Sequence, residues 1–321
     1  MPFRVYYDGP SCKACNRTLL QNPGKPPLLT MEWAEDASPL PCDLVYIKVP
    51  KCASSTTGGV VRRIAAHNQL SGVHTTSWAE PEPGIWANHA PLTHKWGLLG
   101  QLQQRALLLT MVRLPATRCL SGYYHFGETR GGASNEARAK VAALKGCKNF
   151  IFNYITPPGT WSARQLVEDV YSFIGVVERY DESMVLLASL LRVPLSHVLY
   201  LKAKNSNAGG VDAKLGISFV PHPPLEQEPS AVSAFAASAD FNHSNKHDYE
   251  LYVMANAALD RRWRANREEL DAGLARFREM RARATELCAD AADNEASCYW
   301  GDNGCAYQCL DKHFGETGLQ N

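Results

Sequence analysis

The sequence predicts an α/β fold with a mostly parallel sheet flanked by helices, and three observations support it. Short apolar, β-rich runs recur at residues 44–49, 106–112, 173–177 and 198–202. The first three are each followed by a helical stretch, the alternation that makes parallel strands. At 321 residues and 45% hydrophobic content, the chain can bury one large core.

The first of these elements organises the rest. Residues 44–50, LVYIKVP, read as a buried strand that Pro50 ends. A loop follows, Lys51, Cys52, Ala53, Ser54, Ser55, Thr56 and Thr57, and then a helix with Val60, Val61, Ile64 and Ala65 on one face. Ser54 or Ser55 can cap that helix. Arg62 and Arg63 fall on its other faces and read as solvated. A helix N-terminus after a strand offers N–H groups and a partial positive charge, so it is an anion site. Lys51 adds a full charge and the four hydroxyls add donors, which suits a phosphate. The motif is not GxxxxGK[ST], because the lysine precedes Gly58 and Gly59. An ordinary strand-to-helix turn with polar caps is the alternative. Cys52 reads as a small buried filler, or as a thiol made reactive by Lys51 and the helix end.

Upstream, residues 1–43 are rich in Pro, Gly and Cys and read as an irregular segment tied down by disulfides. Downstream, residues 71–97 hold three histidines among prolines and tryptophans. A hydroxyl nucleophile needs a base near neutral pH, and His89 is the first choice, with His94 second and His74 third. After the strand at 106–112, Arg113 leaves the strand end and a helix begins near Ala116. Arg113 and Ser121 can both face the strand-end crevice where open α/β sheets bind ligands, and an arginine fork with a hydroxyl suits a second phosphate. Arg118 is a further candidate or a surface helix residue; Tyr123, Tyr124 and Phe126 read as core.

Trp161 can lean on a base or pack at the rim. Glu178, at the end of the third strand, reads as the partner of an arginine, with an acid/base role as the alternative. Asp181 is placed as the cap of ESMVLLASLL. The Gly- and Pro-rich loop 205–229 suggests ligand contacts near residues 204–207. Residues 246–287 form one or two helices with Leu259, Trp263, Leu270, Leu274, Phe277 and Leu287 at helical spacing. Arg261, Arg262, Arg264 and Arg267 read as a solvated face shared with Glu268 and Glu269.

A net charge of +1 argues against a nucleic-acid or membrane-surface partner. No run of about 20 apolar residues spans a membrane, and no signal peptide opens the chain; any anchor would lie outside it. The ten cysteines, with sequons at Asn16 and Asn242, favour disulfides in an oxidising lumen over a zinc site at Cys12 and Cys15. No metal is expected. Residues 288–321 form a Cys-rich segment packed on the main domain, residues 44–287.

KVPKCASSTT, followed by VRLPATRCLSGYYHF, resembles the paired 5′-phosphosulfate and 3′-phosphate motifs of Golgi carbohydrate sulfotransferases. These use 3′-phosphoadenosine-5′-phosphosulfate (PAPS). FIGVVERYDESMVLLASLL and HDYELYVMANAALDRRW resemble stretches of the galactose-3-O-sulfotransferase family, which includes the cerebroside enzyme. Cys52 stands where that family usually has threonine. The resemblance implies a P-loop-like three-layer sulfotransferase fold over 44–287 and a Golgi-lumenal glycoprotein. It places Lys51, Cys52, Ala53, Ser54, Ser55, Thr56 and Thr57 around the 5′-phosphosulfate. Arg113 and Ser121 fall on the 3′-phosphate, and His89 is the base beside the catalytic Lys51. The implied acceptor is a hydroxyl on a galactose-type glycan or glycolipid, with a non-sugar alcohol as the alternative. A P-loop kinase and a non-catalytic glycan-binding module are the readings from other classes.

Overall fold

A computed structural model describes residues 43–68, 71–73, 84–89, 91–92, 106–128, 136–201, 210–212, 217–219, 223–294 and 304–315. Its centre is a five-stranded sheet in the order β2-β3-β1-β4-β5, with every pairing parallel. The strands are β1 (Asp43–Ile47), β2 (Ser71–Val73), β3 (Gly84–Asn88), β4 (Ala106–Val112) and β5 (Phe173–Val176). Strand β1 lies in the middle, with Ile47 opposite Asn88 of β3 on one side and Thr110 of β4 on the other. Residues 44–47 are at most 1% exposed, because a parallel strand covered on both faces must be apolar throughout. A separate antiparallel pair, β6 (Gly210–Asp212) and β7 (Ile217–Phe219), brings β7 against the helix that follows β4.

Helices cover the sheet: α1 (Ser54–His67), α2 (Pro115–Glu128), α3 (Ala137–Gly146), α4 (Phe150–Ile155), α5 (Tyr180–Leu191), α6 (Ser230–Ala236), α7 (Ala239–Ser244), α8 (Lys246–Ala265), α9 (Arg267–Leu287), α10 (Ala289–Asn294) and α11 (Tyr307–Phe314). The main core joins the sheet to α1, α5, α8, α9 and α11. A smaller core, including Leu120, Leu144, Val232 and Phe241, joins α2, α3, α6 and α7. Disulfide Cys119–Cys147 ties α2 to the end of α3, and Cys288–Cys309 ties α9 to α11. The first joins cysteines that lie in neither terminal cluster. Both are compatible with a secreted or lumenal domain, and no helix among the described residues is long and apolar enough to cross a membrane.

Several local expectations are corrected. Residues 198–201 are buried but pair with no strand among the described residues; Leu195–Val198 is a 3₁₀ turn entered from Pro194. Helix α1 is capped by neither Ser54 nor Ser55, since its N-cap is Ala53. Asp181 lies inside α5 and accepts from the Tyr200 hydroxyl at 2.7 Å and from Arg281 at 2.5 Å. The run 246–287 forms two helices, the second of the two expected forms, but Leu287 at its end is 49% exposed instead of packed. Phe126 is exposed instead of core. Arg262 is half-buried and donates to the Ser172 carbonyl at 3.0 Å, so it is only partly on the expected solvated face.

Arg63 is the largest departure from the expected solvated face. It is 3% exposed and donates to Asp311 of α11 at 2.6 Å and to the Ser196 carbonyl at 2.5 Å. His67 contacts the same carboxylate at 2.9 Å. His197 stacks on His67 with ring centroids 4.3 Å apart, and neither ring nitrogen has a partner among the described residues. Burial first, then the nearby His67 and Arg63, push His197 down from 6.5 to about 4, with Asp311 opposing. Between those values the folded state binds fewer protons than the unfolded one, so the stability present above pH 6.5 is lost as pH falls toward 4. We expect His197→Phe, which sacrifices no described hydrogen bond, to remove on the order of 3 kcal/mol of acid sensitivity. Urea unfolding at about pH 7.5 and 4.5 checks this: equal losses in both proteins refute it. Asp248, raised by burial from 3.8 to about 6, works in the opposite sense and is present in both proteins.

Candidate active site

Sheet order places the site. From β1 the chain moves outward to β2 and β3 on one side, while β4 and β5 lie on the other. The loops leaving the carboxyl ends of β1 and β4 therefore diverge and open a crevice, the general ligand position in such sheets. Lys51 and the start of α1 come from β1; Arg113 and α2 come from β4.

The β1–α1 loop is held in an unusual conformation. Lys51 and Ala53 both adopt left-handed backbone angles, φ 68 and φ 54, which cost side-chain-bearing residues of order 1–3 kcal/mol each. The surroundings hold them there. Cys52 between them is fully buried and its N–H bonds to the Val49 carbonyl at 3.2 Å. The Arg113 guanidinium donates to the Lys51 carbonyl at 3.2 Å, and Arg118 donates to the Pro50 carbonyl at 3.2 Å. Two arginines from the second strand-helix unit thus fasten the loop of the first.

The lysine itself borders α2. A Cβ built on Gly122 would lie 4.0 Å from Lys51 Cγ and 4.0 Å from Arg118 Cζ. Ser121, 5% exposed, is the next residue on that helix. Lys51, Arg113 and Arg118 therefore belong to one region, with the first turn of α1 beside them. Ser54, Ser55 and Thr56 lie in that turn and are 7–8% exposed. Ala53 provides no side-chain cap at this helix end.

Thr57 turns inward, away from the expected ligand position, and Cys52 follows the buried-filler reading of the two that the sequence leaves open. Thr57 is 1% exposed, with its hydroxyl 2.8 Å from that of Tyr180 and its N–H bonded to the Ala53 carbonyl at 2.9 Å. Its polar groups are engaged in the protein interior. Cys52 is not an activated thiol: burial pushes it up from 9.0 to about 12, outweighing the nearby Arg118 and Arg113.

His89 follows β3 on the opposite flank of β1 from Arg113, and it is exposed. Its Nδ1 lies 2.9 Å from the Lys48 carbonyl. A carbonyl only accepts, so Nδ1 carries a proton, and in the neutral form of the ring the lone pair lies on Nε2. His74, His94 and residues 204–207 lie outside the described residues. Glu178 has a backbone partner instead of an arginine: it accepts from the Leu114 N–H at 3.0 Å just before α2. Trp161 donates to the Pro158 carbonyl at 3.2 Å.

A site missed in the sequence lies behind Arg118. The guanidinium sits 3.3 Å above the Phe150 ring. Asp248 accepts from the N–H groups of Ile151 at 3.2 Å and Phe152 at 2.7 Å, fixing the helix that starts at Phe150. The only signal was Asp248 within HDYELYVMANAALDRRW, whose partner lies almost a hundred residues upstream.

A parallel α/β sheet with a cationic strand-end crevice is an arrangement that suits a phosphorylated ligand. Comparison with known families narrows this: residues 41–151 match the model of the sulfotransferase family. The match supports a sulfotransferase enzyme and sulfuryl transfer as its general activity, and it implies a sulfate donor such as PAPS and a hydroxyl acceptor. No curated protein and no solved structure gives a significant match. The chemistry of the crevice fits such a donor: a lysine and a helix N-terminus for one anionic group, an arginine and a buried hydroxyl for another.

Proposed function

We propose that this chain transfers the sulfuryl group from PAPS to a hydroxyl of a galactose-type sugar on a glycan or glycolipid in the Golgi lumen. The Arg113–Lys51 hydrogen bond carries this reading. It joins the ends of β1 and β4, which supports a reading in which Lys51 and Arg113 serve one nucleotide with phosphates at both ends of its ribose. Lys51, Ser54, Ser55, Thr56 and the start of α1 would hold the 5′-phosphosulfate; Arg113 and Ser121 would hold the 3′-phosphate.

PAPS supplies an electrophilic sulfur and a phosphate leaving group. His89 Nε2 takes the proton of the acceptor hydroxyl as its oxygen bonds to sulfur. The sulfur–oxygen bond to the 5′-phosphate breaks, and its electron pair stays on that bridging oxygen. Lys51 and the α1 N-terminus stabilise the charge collecting there.

Candidate glycans, glycolipids and simple alcohols should be incubated with PAPS and checked by mass spectrometry for addition of one SO₃. Addition to galactose-terminated acceptors is expected. Transfer only to non-sugar alcohols would refute the acceptor assignment, and phosphate transfer from ATP without sulfate transfer from PAPS would refute the activity. His89→Ala should lower turnover by about 10²–10⁴-fold. It should leave adenosine 3′,5′-bisphosphate affinity within about twofold, since in this reading the ring meets the acceptor and not the nucleotide. Wild-type turnover in this variant would remove His89 as the base.

A further inference from the structure

We infer that Arg118 is a positioning residue: it braces the β1–α1 anion loop from behind, using the Phe150 ring as its platform. The inference rests on the nucleotide reading above but assigns Arg118 a task different from gripping a phosphate.

Arg118 is 6% exposed although it stands on α2 at the edge of the crevice. Its Nε–H is spent on the Pro50 carbonyl, the residue that begins the loop. Its Nη1 faces Cys147 Sγ at 3.6 Å, and that sulfur is bonded to Cys119, the next residue along α2. The flat face of the guanidinium lies 3.3 Å from the centre of Phe150. Phe150 is itself held by the turn it starts: Asp248 accepts the next two N–H groups, and Asn149 Oδ1 accepts from the His247 N–H at 2.9 Å. The brace thus runs from α8 through Phe150 and Arg118 to Pro50.

Such support is needed because Lys51 and Ala53 hold left-handed angles that the loop alone would not favour. A guanidinium can stack on a ring and donate in its plane at the same time. Lysine keeps the charge but cannot reproduce both contacts.

The test uses two ligands. Adenosine 3′,5′-bisphosphate has both phosphates, whereas adenosine 5′-phosphosulfate lacks the 3′ one. Binding of each is measured by calorimetry for wild type, Arg118→Lys, Phe150→Leu and Arg113→Ala. A brace of the 5′ loop predicts that Arg118→Lys and Phe150→Leu each weaken both ligands by a similar factor, about tenfold. Arg113→Ala, which loses both the bond to the Lys51 carbonyl and a donor for the 3′-phosphate, should weaken both ligands, the bisphosphate by the larger factor. The KM for PAPS should rise in the two brace variants with the acceptor KM unchanged.

If Arg118→Lys weakens only the bisphosphate, Arg118 is a 3′-phosphate ligand and the brace is refuted. Unchanged binding of both ligands also refutes it. Should Arg118→Lys fail to fold, Phe150→Leu decides, because that ring lies beneath the arginine: wild-type binding in it overturns the inference. If wild type binds neither ligand, the nucleotide reading fails first and the brace with it.

Discussion

Lys51→Ala is expected to reduce sulfuryl transfer by about two to three orders of magnitude, the usual cost of losing one preorganised charge-stabilising donor. The lysine leaves a loop locked by left-handed angles at Lys51 and Ala53, so its direction is set before any ligand arrives. Its stem borders Gly122 on α2, near Arg118. Alanine removes the charge while retaining the carbonyl that accepts from Arg113, so the loop keeps that fastening. The loss should therefore fall mainly on kcat, with a smaller loss in adenosine 3′,5′-bisphosphate affinity. Lys51→Arg should recover little, since a forked guanidinium does not replace a compact ammonium beside a helix end. Single-turnover transfer from PAPS measures the chemical step directly. Near wild-type rates in Lys51→Ala would remove this residue from the mechanism.

Lys140→Met should destabilise the protein by about 3–5 kcal/mol, the cost of leaving a buried charge without its partner. Lys140 Nζ lies 2.8 Å from Glu228 Oε2, and the two side chains are 5% and 0% exposed. The Tyr124 hydroxyl donates to the other oxygen at 2.7 Å. Glu228 stands in the turn before α6, so the pair pins that region to α2 and α3. Removing only the lysine strands the carboxylate; removing both charges does not. Lys140→Met with Glu228→Gln, which preserves an acceptor for Tyr124, should regain most of the loss. Urea denaturation of the two variants separates these cases. Equal destabilisation by the single and double changes would show that packing, not charge, governs the site.

These two residues differ in how far the sequence alone revealed them. Lys51 stood out because a strand, a lysine, a row of hydroxyls and a helix are contiguous, and local order is enough to identify an anion loop. Arg113 and Ser121 were singled out for the same reason, eight positions apart across one strand end. Lys140 and Glu228 were not, because a lysine in an alanine-rich helix reads as solvated until a carboxylate 88 residues later is brought against it. Arg63 followed the same course, with its partner 248 positions away.

The order of neighbouring residues determined that β1, β4 and β5 are buried strands, that helices follow them, and that the loop after β1 suits a phosphate. These properties depend on apolar periodicity and on helix ends, both local. Tertiary structure alone decided that Thr57 turns inward to Tyr180, that Cys52 is an inert filler, that His89 is oriented by the Lys48 carbonyl, and that Asp248 fixes the helix beneath Arg118. Each of these depends on which distant groups meet in a low-dielectric interior. That meeting is set by the packing of the whole sheet and its helices, which no single stretch of sequence contains.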